Sequence, residues 1–137
     1  MKKEIQQQID KLKMITNNSQ INLITKNISE LGGISALLKE TKNLNTFQKA
    51  SIINSLMPEL KSENLADLLD LLEAEAKPIL GREEATTHIG IKKKLIDKIS
   101  ALCGEYVFND INPIDEVEIK KRIEVIRNKL RNNNLNA

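Results

Sequence analysis

Isoleucine and leucine recur along this chain at three- and four-residue intervals, and that spacing limits what it can fold into. Ile5, Ile9, Leu12 and Ile15 share one face of a helix, and Ile21, Ile24, Ile28 and Leu31 repeat the arrangement. Strands favour β-branched and aromatic residues, yet aromatics make up only 2% of the chain, so spacing decides for helix where isoleucine content does not. Gly32-Gly33 marks a helix stop, because glycine takes the left-handed cap conformation at little cost. A short helix over 34–41 is expected next.

Thr46 can cap a fourth helix with Phe47, Ala50, Ile53, Met57 and Leu60 as its apolar positions, widened by Ile52 and Leu56. Pro58 lacks an N–H and ends or kinks it. Ser62 can cap the next helix, whose core stripe is Leu65, Leu68, Leu69, Leu72 and Ala76, with Leu71 at the margin. Its outer face is acidic, with Glu63, Asp67, Asp70 and Glu73, and Lys77-Pro78 closes it. Residues 46–77 therefore read as a helical hairpin at the centre of the core. A further helix runs to about Cys103 with Gly104 as its cap, and its start, before or after Gly90, is left open by the pattern. Tyr106-Val107-Phe108 is short and reads as a loop over the core. Asn112-Pro113 has the form of a helix start, cap followed by first-turn proline, and this last helix should reach Arg131. The expected fold is an all-α irregular bundle of six or seven helices, one domain over 1–131 with a frayed Asn-rich tail over 132–137. No strict repeat or sustained heptad pattern is present.

Composition removes several function classes. With 137 residues, the chain is the size of one domain. One cysteine excludes an internal disulfide framework, and one cysteine with one histidine excludes a zinc site built from those residues. A net charge of +2 excludes a strongly basic nucleic-acid coat. The first residues show no apolar segment of a secretory signal, and no apolar run is long enough to span a membrane. A cytoplasmic location is expected, with export that uses no cleaved signal left open.

Catalytic equipment is thin. If one helix carries both His88 and Cys103, they are about 22 Å apart at 1.5 Å per residue, too far for a nucleophile pair. Cys103 reads as a small buried hydrophobe. No phosphate-cradling glycine loop and no Glu-x-x-His pair for a di-iron bundle is present, so neither enzyme nor cofactor is expected. One polar row stands out. Glu84, His88 and Lys92 are four residues apart and continue the stripe of Ile91, Leu95, Ile96, Ile99 and Leu102 toward its N-terminus. Either the helix starts later or overhangs the core, leaving the row solvated, or the row forms a polar pocket or pH-sensitive contact around His88.

The last helix has two apolar sides. Ile119, Ile123, Ile126 and Leu130 form one, and Ile114, Val117 and Val125 form another, nearly opposite. One side docks on the domain; the other is sandwiched within the bundle or meets a partner. Glu116 with Lys120 and Glu118 with Arg122 have favourable four-residue spacing. Residues 119–131 carry six basic side chains against Glu124 alone, and Lys92-Lys93-Lys94 is a second basic cluster. The leading expectation is a non-enzymatic protein–protein interaction module: an adaptor, a secretion-type chaperone or a regulatory subunit. Its contact residues would be Ile114, Val117, Lys121 and Val125, with Asp67 and Asp70 as a second face, and its partner another protein or a second copy of itself. The alternative is a nucleic-acid-binding regulator using Lys92, Lys93, Lys94, Lys120, Arg122 and Arg127. Scarce aromatics argue against stacking on single strands.

Overall fold

The computed structural model describes residues 3–77, 82–103, 108 and 110–132. Among these it contains seven α-helices and no strand: α1 (Lys3–Leu12), α2 (Asn18–Glu30), α3 (Ile34–Thr41), α4 (Thr46–Leu56), α5 (Leu65–Glu75), α6 (Arg82–Cys103) and α7 (Glu116–Arg131). Two of the starts are fixed by side-chain caps from asparagine. The Asn17 side chain accepts from Gln20 N at the head of α2, and Asn45 and Gln48 form a reciprocal capping box on α4. Two short 3₁₀ turns, Met57–Glu59 and Ser62–Asn64, carry the chain past Pro58 between α4 and α5.

Two glycines between α2 and α3 do different work. Gly32 has φ +77°, the left-handed conformation that glycine adopts without strain. Gly33 is buried, and a Cβ there would come within 2.8 Å of Ile5 Cγ2 and 2.9 Å of Ile28 Cγ2. Its missing side chain therefore lets α1, α2 and the start of α3 meet.

One core joins the helices, running from Ile5, Ile9 and Leu12 through Ile52, Ile53, Leu56, Leu68, Leu69 and Leu72 to Ile99, Ile119 and Ile123. α4 packs on α2 and α6, and α5 packs on α3, α6 and α7. The 46–77 pair thus supplies the centre of the core, with α6 set against both of its arms.

Several expectations need correction. Phe47 is 57% exposed. It lies nine residues before Leu56, half a revolution away at 100° per residue, so it faces water while Ile52, Ile53 and Leu56 face the core. Leu71 is buried, not marginal, because α5 has neighbours on several sides. α6 begins at Arg82 and passes through Gly90. α7 begins at Glu116: Asp115 is its cap, accepting from Glu118 N at 3.0 Å. Asn112 instead closes a turn, its Oδ1 accepting from Ile114 N at 3.0 Å. Phe108 packs into the core as expected. Pro78, Gly104, Tyr106, Val107 and residues 133–137, on which other expectations fall, lie outside the described residues. No helix among the described residues is long and apolar enough to cross a membrane.

Candidate functional site

Two places carry the candidate residues: a buried charge cluster where α4, α5 and α6 converge, and the outer face of α7.

The cluster is centred on Glu75 in the last turn of α5. Its side chain is 1% exposed, and its two oxygens meet Lys49 Nζ from α4 and His88 Nδ1 from α6, each at 2.6 Å. Both contacts are short but not aligned as hydrogen bonds, so proximity more than directionality holds them. His88 Nε2 lies 3.0 Å from the Lys77 carbonyl oxygen. Lys92, one turn after His88, is buried as well.

Burial alone would raise the Glu75 carboxyl, but the contacts with His88 and Lys49 together outweigh it and hold the group below its ordinary value. Burial pushes the Lys92 ammonium below its ordinary value, against the attraction of Glu75 and of Glu116 on α7. Of the polar row Glu84, His88 and Lys92, the structure brings His88 and Lys92 inside and leaves Glu84 exposed. The carboxylate that meets His88 comes from α5 instead. Sequence spacing carried a signal for it: Glu75 stands three and four residues after the buried Leu72 and Leu71, on the apolar face of its helix. Lys49 likewise stands three and four residues before the buried Ile52 and Ile53.

A carboxylate on imidazole Nδ1 is the arrangement of an acid–base dyad. Here Nε2 is occupied by a backbone carbonyl and the residue is buried, so the ring links helices. Among the described residues no group of His, Cys, Asp and Glu is placed to hold a metal ion. A groove of about 600 Å³ beside α2 and α4, lined by Asn22, Leu23, Thr25, Lys26, Asn54 and Leu56, includes none of the cluster's charged groups.

On α7, Ile119, Ile123 and Ile126 are fully buried, while Val117 is 67% and Val125 46% exposed; Ile114, expected on the same helix, lies in the turn before its cap and is 66% exposed. Lys121 is exposed between the two valines. The second apolar side is therefore not sandwiched against the described residues of this chain. Asp67 accepts a hydrogen bond from Ser35 Oγ at 2.7 Å, and Asp70 pairs with Arg127 at 2.6 Å.

The expected basic surface is partly spent on internal contacts. Lys92 is buried, which corrects its place among residues able to reach a phosphate. Lys120 pairs with Glu116 at 2.9 Å and Arg122 with Glu118 at 3.0 Å. Arg127 meets Asp70, Glu73 and Glu124. Lys94 reaches Asn54, and Lys93 is exposed. Comparison with known proteins returns no matching family model, no matching curated protein and no matching solved structure.

Proposed function

We propose that this chain is a non-enzymatic protein–protein interaction module, an adaptor, chaperone or regulatory subunit, that holds its partner along the outer face of α7. The observation that carries the reading is the division of that helix. Ile119, Ile123 and Ile126 on its inner side are fully buried, while Val117 and Val125 stand in water around Lys121, with Ile114 exposed just before the helix. Isolated apolar side chains are common on surfaces, but Val117 and Val125 stand about two turns apart on one helix face, with Ile114 exposed in the turn that leads into it, and helix-in-groove contacts are made from such faces.

The nucleic-acid alternative is weakened by pairing. Lys120, Arg122 and Arg127 have carboxylate neighbours that a phosphate would have to displace. The test is affinity capture of the tagged chain from its source lysate, with and without nuclease, alongside a Val117→Asp/Val125→Asp variant of unchanged helix content. A stoichiometric protein that survives nuclease and disappears with the variant is the expected result. Recovery of nucleic-acid-associated proteins that vanish on nuclease treatment would make the basic clusters the site instead.

A further inference from the structure

His88 is the chain's one histidine, and both of its ring nitrogens face acceptors. Nδ1 lies 2.6 Å from a Glu75 oxygen, and Nε2 lies 3.0 Å from the Lys77 carbonyl oxygen. An ionised carboxylate and a carbonyl present only lone pairs. A neutral imidazole has one N–H and one lone pair, so it can satisfy one of these neighbours and repels the other, whereas imidazolium satisfies both.

We propose that His88 is a proton-operated latch between α6 and the Lys77 carbonyl just past the end of α5. As imidazolium it bridges Glu75 and Lys77; on losing a proton it keeps Glu75 and releases the Lys77 carbonyl. The order of release follows from acceptor strength. A full negative charge 2.6 Å from Nδ1 attracts an N–H more strongly than a neutral carbonyl 3.0 Å from Nε2, so the remaining proton stays on Nδ1.

The surroundings keep the change local. Among the described residues, the charged groups that face this site are Lys49 from α4, Glu75 from α5, Lys92 from α6 itself and, opposite Lys92, Glu116 from α7. Glu84, one turn before His88, is exposed. Glu75 retains Lys49 as counter-ion in both states, so the carboxylate is not stranded when the ring becomes neutral. Lys77 is an exposed residue, and a water that takes the ring's place at its carbonyl would make the step reversible.

A single histidine makes the test direct. Long-range proton–nitrogen spectra of the imidazole are followed through its titration in the wild-type chain, together with the carbonyl carbon of Lys77. The expected result is a cation at acid pH, the Nδ1–H tautomer above the transition, and a Lys77 carbonyl shift that moves with the same midpoint. A ring neutral throughout, a neutral Nε2–H tautomer, or a Lys77 carbonyl that ignores the titration would overturn the proposal. His88→Gln keeps an amide donor for Lys77 but cannot take the charge, so its Lys77 carbonyl should lose the step. A step that persists in that variant belongs to another group and would also overturn the latch.

Discussion

Charged side chains buried among leucine and isoleucine are stable only in company, and Glu75 is the residue that provides it. Replacing Glu75 by Gln leaves Lys49 and His88 without their shared counter-charge. Breaking a buried pair from one side costs about 3–5 kcal/mol, so E75Q should unfold at clearly lower urea concentration at neutral pH. A loss below about 1 kcal/mol would show that Lys49 and His88 find water or other partners in its absence. The pH dependence has a definite sign. Because the folded-state carboxyl lies below its ordinary value, its stabilisation is present above the unfolded value and is lost as pH falls through the folded one. The acid limb of a melting-temperature series should therefore flatten in E75Q. Lys92 has the opposite logic. Its ammonium is pushed down by burial, so the unfolded chain binds that proton more tightly and stability rises with pH toward the ordinary lysine value. Lys92→Met should remove this alkaline rise. At neutral pH it should stabilise, since burial outweighs the attraction of Glu75 and Glu116 and the charge is held less well in the fold than in water. A strongly destabilised K92M would mean that the attractions of Glu75 and Glu116 exceed the desolvation.

Helices were legible wherever spacing alone decides. The short helix α3 falls on the expected residues, and α7 ends at Arg131 as expected, just before the Asn-rich tail of the sequence. Starts were less legible, because Asn and Pro serve turns as well as caps: Asn112 and Pro113 carried a helix-start signature that the chain uses for a turn before Asp115. The charge cluster was half legible. His88 and Lys92 stand out as polar residues on an apolar stripe, whereas Lys49 and Glu75 are not among the candidates, because a lone charge on an amphipathic helix is ordinarily solvated. What joins them is packing between three helices, separated by 26 residues from Lys49 to Glu75 and 13 from Glu75 to His88, and no local pattern encodes that. Gly90 gives the prediction proper to an element. It sits within α6, and a Cβ there would meet nothing within 4 Å. Gly90→Ala should therefore stabilise by about 1 kcal/mol through helix propensity alone. Chemical denaturation reads this directly; a loss of stability would mean that α6 needs the glycine's freedom at that point.

At the scale of the molecule, α7 is both a brace and an exposed surface, and the two roles can be separated by mutation. Its inner stripe and its ion pairs both attach it to the bundle, but not equally. Arg127 meets Asp70, Glu73 and Glu124 where those carboxylates are well exposed, and such pairs contribute on the order of 1 kcal/mol or less. Ile123 is fully buried, and truncating a buried isoleucine to alanine costs about 2–5 kcal/mol. Apolar packing therefore dominates the attachment. Ile123→Ala should lower the melting temperature by several degrees, at roughly 3–5 °C per kcal/mol for a chain of this size. Val117→Asp/Val125→Asp should behave differently. Both positions are exposed, valine and aspartate have similar helix propensity, and surface changes cost within about 0.5 kcal/mol each. The double variant should melt close to wild type and lose its partner. If it melts with Ile123→Ala, the outer face is part of the fold and the interaction reading fails. If it melts like wild type and still captures the same partner, the interface lies elsewhere, and the remaining exposed side chains Met14, Leu23 and Phe47 become the next positions to change.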